Sequence, residues 1–60
     1  MTELTDQELA EIKRLLNQSI HECVFALQHA AQGDADDALN CLVLVREHTS
    51  RVAIIIEALK

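Results

Sequence analysis

Sixty residues are few for a self-sufficient core; below about 70, a disulfide, a metal or oligomerisation normally supplies the stability that burial leaves missing, and one domain is the ceiling. Half of the residues are apolar, but Trp and Tyr are absent and Phe25 is the only aromatic, so the apolar content is Ala, Leu, Ile and Val, the residues of packed helices. Ten acidic against five basic residues give a formal charge of −5, which disfavours a phosphate-binding surface, and no apolar run approaches the ~20 residues that span a bilayer.

Much of the acidity has a local explanation. Asp6, Glu8, Asp34, Asp36 and Asp37 fall in expected first helical turns, where carboxylates interact favourably with the positive end of the helix macrodipole. No basic segment precedes an apolar stretch at the N-terminus, so a cytoplasmic protein without membrane association is expected, with Cys23 and Cys41 as reduced thiols.

Taken in chain order, Thr5-Asp6-Gln7-Glu8 fits a capping box, with Thr5 as N-cap and Glu8 three residues on, and Leu4 and Leu9 stand where a hydrophobic staple would form. From there Leu9, Ile12, Leu16, Ile20, Cys23, Leu27 and Ala30 recur at steps of three and four and predict one amphipathic stripe on a helix over about 5–31. Gly33 is the only glycine and Pro is absent. A turn is therefore expected over 32–34, with Gly33 in the left-handed conformation and Asp34 capping the next helix through its side chain.

The second helix, about 35–59, carries Ala38, Leu42, Val45, Thr49, Val52, Ile56 and Leu59 at alternating steps of four and three, a heptad-like seam. Both helices come to roughly 40 Å at ~1.5 Å per residue, so they can pair along their length as an antiparallel helical hairpin. Beyond its seam the second helix offers Leu39, Cys41, Val43, Leu44, Ile54 and Ile55, more apolar surface than one partner helix covers. The predicted architecture is thus all-α: one helical-hairpin domain that assembles into a homodimeric four-helix bundle, with a tetramer as the alternative and with Leu42, Val45, Val52, Ile55, Ile56 and Leu59 in self-association.

No catalytic constellation or cofactor motif emerges. Ser19 and Ser50 have no base at a helical neighbour spacing that would suggest activation, and no glycine-rich phosphate loop exists. Among His21, Cys23, His29, Cys41 and His48, no pair has the separation of a ligand pair on one helix, so no metal site is expected. What stands out is the side of the first helix away from its apolar stripe, where Phe25 is centred among Gln18, His21, Glu22, Gln28 and His29, with Arg14 and Gln32 at the margins. A lone aromatic ringed by hydrogen-bonding side chains has the anatomy of an interface anchor and its rim.

These features point to a non-catalytic protein-interaction module, a small dimeric regulator that binds an unidentified larger protein and inhibits it. Inhibition is the simpler mode, since masking a surface needs only affinity whereas activation needs a preference between two target states. Two other readings compete. Asp34-Ala35-Asp36 at the turn, with Gln18, Phe25 and Gln28 on the first helix, resembles the plasmid repressor-of-primer proteins, dimers of helical hairpins, and the resemblance implies RNA binding; the face in question has only Arg14 as a cation, where that function needs lysines. The chain could equally serve as a structural assembly subunit whose partner is itself or a neighbouring chain.

Overall fold

The computed structural model describes residues 3–59 and consists of two helices, α1 (Asp6–Ala31) and α2 (Ala35–Glu57), joined by a short turn. The helices pack along each other as a hairpin, and the molecule is a rod with principal extents of 47 × 16 × 11 Å.

Each end of α1 is built by its local sequence. The Thr5 amide donates to Oε1 of Glu8 at 2.9 Å and the Glu8 amide to Oγ1 of Thr5 at 3.1 Å, so both halves of the capping box are formed. Leu4 packs onto the cluster of Ile12, Leu15 and Val52, and Leu9 remains 41% exposed. At the other end the Asp34 amide donates to the His29 carbonyl at 2.8 Å and the Gly33 amide to that of Ala30 at 3.1 Å, the bond pair of a Schellman motif with Gly33 at φ 82°. The space around Gly33 is open, so its requirement is the left-handed backbone and not room.

Asp34 departs from expectation. It is the N-cap residue of α2, yet its carboxylate makes no capping bond to the helix. The carboxylate lies instead 3.9 Å from Nδ1 of His29. A Schellman motif commonly closes with a hydrophobic contact between these two positions; here an imidazole and a carboxylate occupy them.

The seam between the helices follows a heptad. On α1 it consists of Glu8, Ile12, Leu15, Ser19, Glu22, Ala26 and His29, and on α2 of Ala38, Cys41, Val45, His48, Val52, Ile55 and Leu59, all buried or half-buried. Its apolar mass is uneven. Ile12, Leu15 and Val52 form the buried cluster at the open end, supported by Leu4 and Ile55, and Leu15, at 1% exposure, is the one large side chain fully enclosed among the described residues. Towards the turn the seam thins to Ser19, Ala26, Ala38, Cys41 and a half-buried Val45, with Glu22, His29 and His48 at its margins. Ser19 tolerates burial because its hydroxyl donates to the Leu15 carbonyl at 2.9 Å.

This seam lies beside the stripe read from the sequence. Of the α1 stripe only Ile12 is buried; Leu9, Leu16, Ile20, Cys23 and Leu27 are exposed, Leu27 to 71%. On α2 the expected positions Ala38, Val45, Val52 and Leu59 do face α1, but Leu42, Thr49 and Ile56 do not, and Cys41, His48 and Ile55 take their places. The apolar arc of each helix is wider than one neighbour can cover, and α1 and α2 meet along one edge of it.

Two outcomes follow for stability. Gly33→Ala should cost about 1–2 kcal/mol through the left-handed backbone alone, and a thermal melt should fall by several degrees. Leu15→Ala should cost about 2–5 kcal/mol, as for other enclosed leucines, and abolish most helical circular dichroism at 25 °C.

Candidate functional site

With the seam fixed, the remaining surface divides into two broad faces. In heptad terms Leu15 and its equivalents on α1 are d positions and Ile12, Ser19 and Ala26 are a positions, while on α2 Ala38, Val45 and Val52 are a and Cys41, His48 and Ile55 are d. In an antiparallel pair the e positions of both helices flank one broad face and the g positions the other, because the local twofold relating the helices is perpendicular to those faces.

The two faces differ sharply in chemistry. On the first, the e positions are Leu9, Leu16, Cys23 and Ala30 of α1 with Ala35, Leu42, Thr49 and Ile56 of α2, and the adjoining b positions add Ile20, Leu27, Leu39 and Ala53; its cations, Lys13 and Arg46, stand at the outer b positions. On the second, the g and c positions are Glu11, Arg14, Gln18, His21, Phe25, Gln28 and Gln32 of α1 with Asp37, Asn40, Leu44, Glu47, Arg51 and Ile54 of α2. Phe25 is 48% exposed, and Leu44 shares its level and its exposure, so the two form a small apolar island in a polar surface.

The polar face is ordered by its own pairs. The Arg14 guanidinium donates to Oε1 of Glu11 and to Oε1 of Gln18, the latter at 3.3 Å. That hydrogen bond from Arg14 holds the Glu11 carboxyl below its ordinary range, assisted by the charges of Arg14 and Arg51. Exposed pairs of this kind are worth little to stability, but they fix side chains beside Gln18 and Phe25.

The residues expected to bind a partner are therefore split. Gln18, His21, Phe25 and Gln28 are exposed on the polar face. Glu22 and His29 are not part of it: both are half-buried seam residues, two seam positions apart on α1. Glu22 faces Cys41 across the seam, and burial first, then the hydrogen bond and charge of Glu22, push the Cys41 thiol above its ordinary range. Of the residues expected in self-association, Val45, Val52, Ile55 and Leu59 contribute to the seam within one chain, whereas Leu42 and Ile56 lie on the apolar face.

At the turn, His29, Asp34 and Asp37 bring one potential ligand atom each within 4.8 Å of one another. Nδ1 of His29 is shielded from solvent and has no hydrogen-bond partner. Histidine and cysteine spacing along one helix gives no sign of this group, because His29 meets the two acids across the turn. The concavity at this end is lined by Gly33, Asp34, Ala35, Asp36 and Asp37, shallow and carboxylate-rich, with no nucleophile. Two of the three clustered groups are exposed carboxylates in the first turn of α2, where the macrodipole alone accounts for them.

The fold and surface define a class, an antiparallel α-helical hairpin with one apolar and one polar broad face. No protein-family model, curated protein or solved structure matches the chain. Among the described residues no helix is long and apolar enough to cross a membrane.

The seam contact between α2 and Glu22 gives a direct test. At neutral pH, Cys41 should react with iodoacetamide more slowly than an ordinary exposed thiol, and Glu22→Gln should accelerate it, since the substitution removes the carboxylate that disfavours the thiolate. Peptide mass spectrometry after timed alkylation reads both rates.

Proposed function

We propose that the chain is a non-catalytic interaction module that self-associates as a homodimeric four-helix bundle and uses its polar face to bind, and inhibit, a larger protein. The observation that carries this reading is the division of the hairpin into two faces of different chemistry. An apolar face running the length of both helices suits permanent association, which resembles a domain core cut in half. A polar face with a single aromatic island suits a reversible contact, in which one anchor supplies much of the energy and its polar surroundings exclude water.

Phe25 is the proposed anchor, with Leu44 beside it and Gln18, His21 and Gln28 as rim. RNA is disfavoured as the occupant: of the cations on this face, Arg14 is already engaged by Glu11 and Gln18, and Glu11, Asp37 and Glu47 share the surface. Inhibition is favoured because a rigid rod of this kind offers occupancy of a surface and no device for discriminating between target states.

The test is affinity capture from the native host with nuclease-treated extract, comparing the parent chain with Phe25→Ala. The expected result is a protein captured by the parent and weakened by ~2 kcal/mol or more in the variant, the usual threshold for an anchor residue, with helicity and oligomer mass unchanged. Capture that disappears with nuclease, or that Phe25→Ala leaves intact, contradicts the reading.

A further inference from the structure

The apolar face lacks a cover within the chain, and its pattern indicates what the cover is. We infer that the occupant is a second copy of this chain, docked through the e and b positions of both helices, with Leu16, Ile20, Leu27, Leu39, Leu42 and Ile56 at the contact. The inference deepens the self-association part of the proposed function by assigning it to one face and excluding the other.

Four observations carry it. First, the exposed apolar residues continue the heptad of the seam: Leu9, Leu16, Cys23 and Ala30 each follow a seam residue at steps of seven, as do Leu42, Thr49 and Ile56. Largely apolar e positions beside the seam widen the stripe of each helix beyond what one neighbour covers, as in a bundle helix packed on two neighbours. Second, seven of the exposed large apolar residues, Leu9, Leu16, Ile20 and Leu27 of α1 with Leu39, Leu42 and Ile56 of α2, lie on the same broad face and can be covered by one partner, while Val24, Phe25, Val43, Leu44 and Ile54 lie outside it.

Third, the surplus compensates for the weakness of the seam. In the half of the rod near the turn, where Val45 is the one large apolar residue in a seam otherwise of Ser19, Ala26, Ala38, Cys41 and ionisable residues, the bulky residues Ile20 (60% exposed), Leu27, Leu39 and Leu42 all stand on the apolar face. Their burial against a second hairpin would supply the large side chains that half lacks. Thr49, the polar residue in the strip's middle, is prepared for burial because its hydroxyl donates to the Val45 carbonyl of its own helix at 2.8 Å. Lys13 and Arg46, at the strip's outer edges, can lay their stems along it and keep their charges in water.

Fourth, the area is of the right size. The chain exposes 4706 Å². A typical globular monomer of 6.7 kDa exposes about 3,900 Å² by the mass scaling of accessible surface. The excess of several hundred Å² belongs to the 47 × 16 × 11 Å rod as a whole, and covering about 800 Å² of it would match one partner's share of a standard interface. A second copy offers the same strip in return, apolar to apolar, under the twofold symmetry that most small oligomers adopt.

The experiment is sedimentation equilibrium of the full chain at micromolar concentration, with Ile20→Glu and Leu42→Glu on the apolar face and Ile54→Glu and Phe25→Glu on the polar face as controls of matched hydrophobic loss. The parent chain and both controls should sediment at twice 6.7 kDa, and the two apolar-face variants should weaken association by at least a hundredfold. If these variants unfold, Ile20→Ala against Ile54→Ala repeats the comparison with smaller changes. Alkylation of Cys23 in the unaltered chain adds a readout that needs no substitution: Cys23 is exposed in the lone hairpin and stands on the strip, so its rate should fall as concentration rises through the dimer range. A parent chain that stays monomeric overturns both the self-association reading and this assignment. A parent dimer that Ile20→Glu leaves intact and Phe25→Glu dissociates overturns the face alone, as does a Cys23 rate independent of concentration in a dimeric chain.

Discussion

Two helices share only one interface, and the rest of this structure depends on how little that interface contains. A chain of this size already operates near the lower limit at which burial outweighs conformational entropy. Here the single seam encloses one large side chain fully, Leu15, and more than half of its positions are alanine, serine, cysteine and ionisable residues. The hairpin is specified well at its ends, by the Thr5–Glu8 capping box and the Gly33 Schellman turn, but capping contributes about 1 kcal/mol per end and cannot replace a core. The leucines and isoleucines that could form one are present in the sequence and stand outside the seam.

That displacement connects stability to function. Because most of the exposed large apolar residues lie on one broad face, covering it leaves the opposite face free, and that face carries Phe25, Leu44 and Ile54 in a setting of glutamine, histidine, asparagine and paired charges. A module of this design would be rigid only in its assembled form. Its partner-binding surface would then appear twice, once on each side of the bundle, so that each dimer presents two copies of the Phe25 island pointing away from one another.

The sequence revealed the local features and missed the phase of the helices, for one physical reason. Capping boxes, left-handed glycines and amphipathic repeats are encoded within a few residues, so the ends of α1 and the position of the turn were legible from Thr5, Glu8 and Gly33. Rotation about a helix axis is set by the neighbour, and an apolar arc running from Leu15 through Ile12 to Leu16 and Ile20 admits several rotations. The sequence stripe passed through the middle of that arc; the hairpin seam occupies its edge. The same limitation explains Glu22 and His29, polar residues that read as surface and are half-buried in the seam, and Asp34, whose carboxylate turns from the helix it should cap towards His29. Phe25 is exposed as expected but for a different reason: Leu9 and Leu27, which it lies nearly opposite, are themselves exposed, and Phe25 stands about a quarter-turn from the seam.

Helical circular dichroism followed on heating, over a hundredfold range of chain concentration from about 1 µM, tests the central claim that the fold depends on a second copy. If folding and association are coupled, mass action requires the midpoint to rise with concentration, and the transition should remain a single step. A midpoint independent of concentration, with a folded monomer at the low end of the range, would show that the seam suffices alone and would contradict the account.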